Sequence, residues 1–158
     1  MTTIACNRKE MAGDTRVTLD GVGSGSYSSI KLFVACGKVY GVHGENCEGQ
    51  IRGIEWLQEG MVPENRPDPP KGADWHIIEL SPEGIALFNT WMERDALLES
   101  HMAVGSGAKV ALYCMKHRGM SPAEAVREAC LADDFTGSPI YVASLRDLVV
   151  KRWIPKKG

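Results

Sequence analysis

The chain has 158 residues, 44% of them apolar and 24% charged, with a formal net charge of −2. That length suits one well-buried domain spanning residues 1–158, and the composition is that of an ordinary globular protein. The balanced charge excludes the electrostatic footprint of a nucleic-acid binder, and no apolar run approaches the roughly eighteen residues of a membrane-spanning helix.

The first eighteen residues read as two short strands joined by a polar turn at Asn7-Arg8-Lys9. Asn7-Arg8-Lys9-Glu10 also interrupts any signal-peptide core, so a cytoplasmic protein is expected. Ahead of the first strand stands Thr2, small enough that an initiator methionine is normally removed before it. Removal would leave a hydroxyl and a free α-amine on one residue, a nucleophile and a base together. Gly21-Val22-Gly23-Ser24-Gly25-Ser26 is a loop, too glycine-rich for regular structure. It is not a dinucleotide fingerprint, which would leave a strand and open a helix, whereas another strand follows here.

Residues 29–36 and 38–43 read as strands hinged at Gly37, apolar on both alternating faces and so covered on both. Lys31 stands out in the first of them, with Ser29 and Phe33 as its same-face neighbours. Asn46 is placed to cap a helix running to about Glu59, with Ile51, Ile54 and Leu57 as its apolar stripe and Gly60 as its stop. Residues 61–73, rich in proline and charge, form a surface connection. Strands at 74–80 and 84–89 flank the turn Ser81-Pro82-Glu83-Gly84. Thr90 to Glu99 is helical in composition but lies between strands, which favours an irregular or short helical excursion.

His101-Met102-Ala103-Val104 is a short strand running into Gly105-Ser106-Gly107. A helix follows, marked by Ala108, Ala111, Leu112 and Met115 and stopped at Gly119. Ser121-Pro122-Ala123-Glu124 is a capping box with proline at the first helical position, opening a second helix. Its stripe is Val126, Ala129, Cys130 and Asp133; Phe135-Thr136-Gly137 closes it. Ile140 to Ala143 is a final strand, and the basic end from Lys151 to Lys157 reads as a solvated tail. The five cysteines are odd in number and without a C-x-x-C, which suits reduced core thiols. The four histidines pair with no partner at ligand spacing, so neither metal nor cofactor is expected.

Consecutive strands joined by tight turns favour antiparallel pairing. An α+β fold follows, and a sheet buried on both faces with few helices calls for a second sheet behind it. A four-layer αββα sandwich of two mainly antiparallel sheets meets that need, with a helix-on-sheet α+β fold as the alternative.

A threonine hydroxyl needs a base to take its proton, and an α-amine with pKa about 7.7–8.0 is matched to neutral pH. The amine must be neutral to act, so a nearby cation helps, itself positioned by an acid. Lys31 and Asp14 are the candidates, and a backbone N–H at Gly44 is a candidate oxyanion donor. Asp133, on the apolar stripe near a helix C-terminus where the dipole disfavours a carboxylate, wants a cationic or donating partner.

Met1-Thr2-Thr3-Ile4, Ala12-Gly13-Asp14, Lys31-Leu32-Phe33 and Gly44, followed by Ala103 to Gly107 and Asp133 to Gly137, together resemble the proteasome β-subunit family. The nearest resemblance is to its small bacterial and phage-associated HslV-type branch. It covers nearly the whole chain in order, with 45–100 matching only in outline. The resemblance implies an N-terminal-nucleophile hydrolase in which Thr2 is the nucleophile once Met1 is removed. Asp14 and Lys31 would be its charge-tuning pair and Gly44 the oxyanion donor. Ser106, Asp133 and Thr136 would form the hydrogen-bonding group around the amine and its water. One departure is His43, where the family carries a small residue before the oxyanion glycine.

The activity implied is threonine peptidase action within a homo-oligomer of rings or stacked rings. Unfolded protein or peptide would be the substrate, delivered by a separate ATPase, since no nucleotide-binding motif lies in this chain. Two alternatives are a catalytically silent assembly subunit and an amidase using the same nucleophile on a small substrate. All catalytic readings require that Met1 come off.

Overall fold

Asn7 makes the first reversal. Its Oδ1 accepts the N–H groups of Lys9 (2.8 Å) and Glu10 (3.0 Å), an Asx-type turn that folds strand β2 (Glu10–Gly13) back on β1 (Thr3–Asn7). The computed structural model describes residues 2–18, 26–45, 47–68, 72 and 74–155; the glycine-rich stretch is outside them but for Ser26, which opens a strand. A short separate ribbon follows, β3 (Arg16–Thr18) with β4 (Ser26–Ser28). Then comes an antiparallel meander in sequence order: β5 (Leu32–Ala35), β6 (Lys38–Gly44), β7 (Trp75–Ser81), β8 (Gly84–Phe88) and β9 (Arg94–Leu97). β10 (His101–Gly105) returns to pair with β1, while β11 (Tyr141–Ser144) and β12 (Lys151–Arg152) extend the sheet beyond β2. The result is a five-stranded antiparallel sheet in the order β10-β1-β2-β11-β12.

The period-two alternation decides what each face of these sheets meets. Ile4, Cys6 and Met11 point from the first sheet toward Leu32, Val39, Ile78, Leu80 and Ile85 of the second, forming the central core. The opposite faces carry Ala5 and Ala12, which meet Ala111, Met115, Val126 and Ala129 of helices α2 (Ala108–Arg118) and α3 (Pro122–Ala132). The outer face of the second sheet carries Tyr40, Trp75, Ile77 and Phe88 against Trp56 and Leu57 of helix α1 (Glu48–Gln58). Three stacked cores therefore separate four layers, the αββα sandwich expected from the strand pattern. Each fully buried Ile, Leu or Phe here stabilises by about 1.5–3 kcal/mol.

Several elements differ from the sequence reading, each for a local reason. The first strand of the meander starts at Leu32, not Ser29, because Ser29 still belongs to the preceding ribbon: beyond the Arg16↔Ser28 pair, its N–H donates to Thr15 O at 2.8 Å. The N-cap of α1 is Cys47, which makes no side-chain cap bond; Asn46, the expected cap, lies outside the described residues. The buried face of α1 is Gln50, Gly53, Trp56 and Leu57, whereas Ile51 is 49% exposed. Gly53 sets that face: a Cβ there would stand 3.0 Å from the Trp75 ring and 3.0 Å from Met92 Sδ, so its absence lets the helix rest on Trp75.

The irregular excursion expected over Thr90 to Glu99 is confined to its first part, where Asn89 Oδ1 accepts the N–H groups of Trp91 and Glu93. Arg94–Leu97 is a strand despite its helical composition, because it pairs with β8 from Ile85↔Leu97 to Phe88↔Arg94. The basic tail is also partly structural. Lys151 and Arg152 pair with Val142 and Tyr141, and Trp153 N–H donates to Ile140 O at 2.8 Å.

Candidate active site

β1 and β10 bring the chain start to the open end of the sandwich. Ser106 N–H donates to Thr2 O at 3.2 Å, and Gly105 makes the approach sterically feasible. Its φ is 98°, and a Cβ on it would lie 1.4 Å from Thr2 O, so only glycine fits. Thr2 is 7% exposed and lines a cleft of about 740 Å³ together with Lys31, His43 and Gly44.

Beneath the cleft lies Asp14, with its side chain fully buried. Its Oδ1 accepts the Thr3 N–H at 2.9 Å and the Lys31 ammonium at 2.7 Å. Its Oδ2 accepts the N–H groups of Arg16 and Gly137, both at 3.1 Å. Lys31 Nζ donates a second hydrogen bond to Arg16 O at 2.6 Å, which fixes the ammonium at the cleft wall. Burial pulls the Lys31 pKa below its ordinary value, and the Asp14 charge opposes that without reversing it. A lysine so held is a fixed positive charge with little water around it.

The second cluster joins three elements. Asp133 Oδ2 accepts the hydroxyls of Ser106 and Thr136, each at 2.5 Å, and Oδ1 accepts the Phe135 N–H at 3.4 Å. Burial alone would raise the Asp133 pKa, but these donors hold it below the usual carboxylate value. Asp133 is the C-cap of α3 with extended backbone, not its last helical residue, so the carboxylate leaves the helix axis and turns to the donors. Thr3 connects the cluster to β1: its Oγ1 lies 2.6 Å from Thr136 Oγ1 and accepts the Gly107 N–H at 2.9 Å. Because Thr136 spends its only proton on Asp133, Thr3 must donate to Thr136. The hydroxyls therefore run in one direction, from Thr3 through Thr136 to Asp133.

Gly44, at the end of β6, has φ 104°, and a Cβ on it would meet Asp74 O at 2.4 Å. His43 stands opposite His76 across the β6–β7 pairing and lines the cleft. Its Nδ1 is buried with no hydrogen-bond partner among the described residues. Burial, then His76, depress its pKa; the Asp74 charge opposes them and Lys31 adds to the fall.

Of the residues singled out from sequence, Thr2, Lys31 and Gly44 share one cleft, Asp14 sits behind Lys31, and Ser106, Asp133 and Thr136 form one hydrogen-bonded group. Thr3 and Arg16 were missed. Thr3 looked like an ordinary strand residue, and its only sequence signal was a hydroxyl at an inward strand position. Arg16 acts through its backbone carbonyl and by laying its guanidinium across Gly137 and onto Asp134 O, which no side-chain pattern announces. Among the described residues no group of three or more His, Cys, Asp or Glu could hold a metal ion.

No protein-family model and no curated protein sequence matches the chain. Solved structures do match. Eukaryotic HslV from Trypanosoma brucei is similar with a TM-score of 0.65 and 20% identity, over 90% of this chain and 98% of that one. Thiobacillus denitrificans BPH is similar with a TM-score of 0.56 and 15% identity, over 98% and 99% of the two chains. The same protein in complex with epoxomicin gives a TM-score of 0.55. The likeness is one of fold, spans nearly the full length of each chain, and agrees with the four-layer sandwich.

Proposed function

We propose that this chain is a threonine peptidase of the HslV and proteasome β-subunit kind, with Thr2 as its N-terminal nucleophile. The observation that carries the reading is the cleft shared by Thr2, Lys31 and Gly44, with Lys31 pinned by the buried Asp14. After removal of Met1, the α-amine of Thr2 takes the proton of its own hydroxyl, and the oxygen attacks a peptide carbonyl. The Lys31 cation keeps the amine neutral at working pH by disfavouring a second positive charge beside it. The Gly44 N–H receives the developing oxyanion. The amine then protonates the leaving amine, and a water that the same base activates hydrolyses the acyl-enzyme. Asp133, with Ser106 and Thr136, orients the amine and that water. That a structure of similar fold was obtained in complex with epoxomicin is consistent with this reading.

Around this chemistry we place a single domain over residues 1–158, assembled in the cytoplasm as a ring or stacked rings, with unfolded polypeptide supplied by a separate ATPase. No helix among the described residues is long and apolar enough to cross a membrane.

The test combines the mass of the mature N-terminus with peptide and casein hydrolysis by wild type and Thr2→Ala. A processed Thr2 and loss of turnover in the variant are expected. Hydrolysis that survives Thr2→Ala would remove Thr2 as nucleophile, and active protein that retains Met1 would remove the amine as base.

A further inference from the structure

Arg16 belongs to both halves of the site. Its backbone is part of the Lys31 half: the N–H donates to Asp14 Oδ2 at 3.1 Å, and the carbonyl oxygen accepts the Lys31 ammonium at 2.6 Å. Its side chain is part of the Asp133 half. Nη1 donates to Asp134 O, and the guanidinium lies against Gly137, where a Cβ would stand 2.5 Å from Nε and 2.9 Å from Cζ.

Two features give that side chain a reason to be an arginine. Helix α3 runs out into two consecutive carboxylates, Asp133 and Asp134, and has no basic residue in its last turn. The helix dipole disfavours that arrangement. Arg16 brings the missing cation from β3 and donates it to a carbonyl just past the C-cap, a charge-assisted bond about twice as strong as a neutral one. The second feature is Gly137, which three consecutive residues hold. Its N–H donates to Asp14 Oδ2 and its carbonyl oxygen accepts the Thr15 N–H, both at 3.1 Å, while its Cα faces the Arg16 guanidinium. The φ of Gly137 lies outside the left-handed region, so its backbone does not require glycine. The guanidinium does. Thr136, the neighbour of Gly137, completes the hydroxyl chain from Thr3 to Asp133. Val17 and Thr18, which follow Arg16, line the cleft with Thr2. If residues 134–137 move off β3, the hydroxyls shift relative to Thr2, whereas Lys31 keeps its backbone acceptor.

We infer that Arg16 is a positioning residue whose guanidinium, seated on Gly137, locks the Ser106–Asp133–Thr136 group to the Lys31–Asp14 pair. The consequence for turnover rests on the peptidase reading; the lock itself does not.

Arg16→Ala and Gly137→Ala, each checked for native circular dichroism, test the lock from its two sides. Both are expected to lower kcat for a fluorogenic peptide by about tenfold with KM little changed. The alanine at 137 does so by displacing a guanidinium that is still present. Because the two changes break one contact, the double variant is expected to lose about as much as either alone. Unchanged kcat in either variant, a loss confined to KM, or losses that multiply in the double variant overturn the inference and leave the peptidase reading in place. The pKa of the Asp133 carboxyl, followed by carbon-13 NMR, needs no cleavage. The Ser106 and Thr136 hydroxyls hold it down, and it is expected to rise in both variants, although Gly137→Ala keeps the Arg16 charge. Should the wild type cleave no peptide, the peptidase reading falls, yet a rise in both variants still upholds the lock. An unchanged value in either variant overturns it.

Discussion

Lys31 Nζ and Asp14 Oδ1 stand 2.7 Å apart with side-chain exposures of 8% and 0%, a charge pair taken almost wholly out of water. The two ends are not equivalent. Asp14 also accepts backbone N–H groups from Thr3, Arg16 and Gly137, so without Lys31 it keeps three donors. Without Asp14, those three N–H groups lose their acceptor, and the ammonium loses its counter-charge and keeps only Arg16 O. Breaking a buried pair costs about 3–5 kcal/mol. Asp14→Ala is expected at or above that range and Lys31→Met below it, near 1–3 kcal/mol. Urea denaturation of both variants measures the difference. Lys31→Met should therefore stay folded while losing turnover, and a Lys31→Met variant less stable than Asp14→Ala would contradict this accounting.

Glu79 is a second buried carboxylate, remote from the cleft. It is fully buried on β7, where Oε1 accepts Arg94 Nε at 3.0 Å and Arg94 Nη2 at 2.6 Å. Oε2 accepts Lys38 Nζ at 3.1 Å and the Tyr40 hydroxyl at 3.2 Å. Burial and the Glu79 charge push the Tyr40 pKa up, so its proton stays in the bond. Arg94 brings two of these donors from the edge strand β9, tying that strand to the sheet. Glu79→Ala is expected to cost about 3–5 kcal/mol and to loosen β9 first, visible as faster amide exchange over Arg94–Leu97. Unchanged exchange there would show that the ladder to β8 alone holds the strand.

The sheets, the two-helix layer and the capping box were legible because their signals are local: alternation, tight turns, and Ser121 with Glu124. The misreadings come from how elements pack on one another, which local composition does not record. Arg94–Leu97 is a strand because β8 offers an open edge, and Ile51 is exposed because the missing side chain of Gly53 sets how α1 meets Trp75. At the candidate site, residue types with a charge were readable: Asp14, Lys31 and Asp133 were singled out and lie around the cleft and its hydroxyl cluster. Thr3 and Arg16 were not singled out. Their contacts depend on a hydroxyl's direction and a backbone carbonyl, neither of which composition or spacing records.

His43 predicts a pH dependence of stability. The ring faces His76 across the strand pair, with Asp74, Lys31 and Glu45 as the charged groups around the cleft. Its folded pKa lies below the ordinary 6.5, so the unfolded chain binds a proton there before the folded chain does. Stability must then fall as pH drops from about 6.5 toward the folded value, by at most about 1.4 kcal/mol per pH unit for one proton. His43→Asn should flatten that slope in denaturation midpoints taken between pH 5 and 7. A slope that persists in the variant would assign it to another group.

Thr136 provides the sharpest test of the hydroxyl chain. It is 1% exposed, donates to Asp133 and accepts from Thr3. Thr136→Val keeps the volume but leaves the Thr3 hydroxyl without an acceptor and takes one donor from Asp133. An unsatisfied buried hydroxyl costs about 1–3 kcal/mol, small enough for a protein of this size to stay folded. The Asp133 pKa, held down partly by this donor, must rise toward its ordinary value. Its contribution to stability, present above the unfolded pKa and lost as pH falls through the folded one, then disappears at a higher pH than in wild type. If Thr136 positions the base and water at Thr2, kcat should drop by about tenfold or more with KM little changed. Thr136→Ser, which restores the hydroxyl without the methyl, should recover most of it. A serine variant no better than valine would mean that the methyl packing of Thr136, not its place in the chain of hydroxyls, is what the site requires.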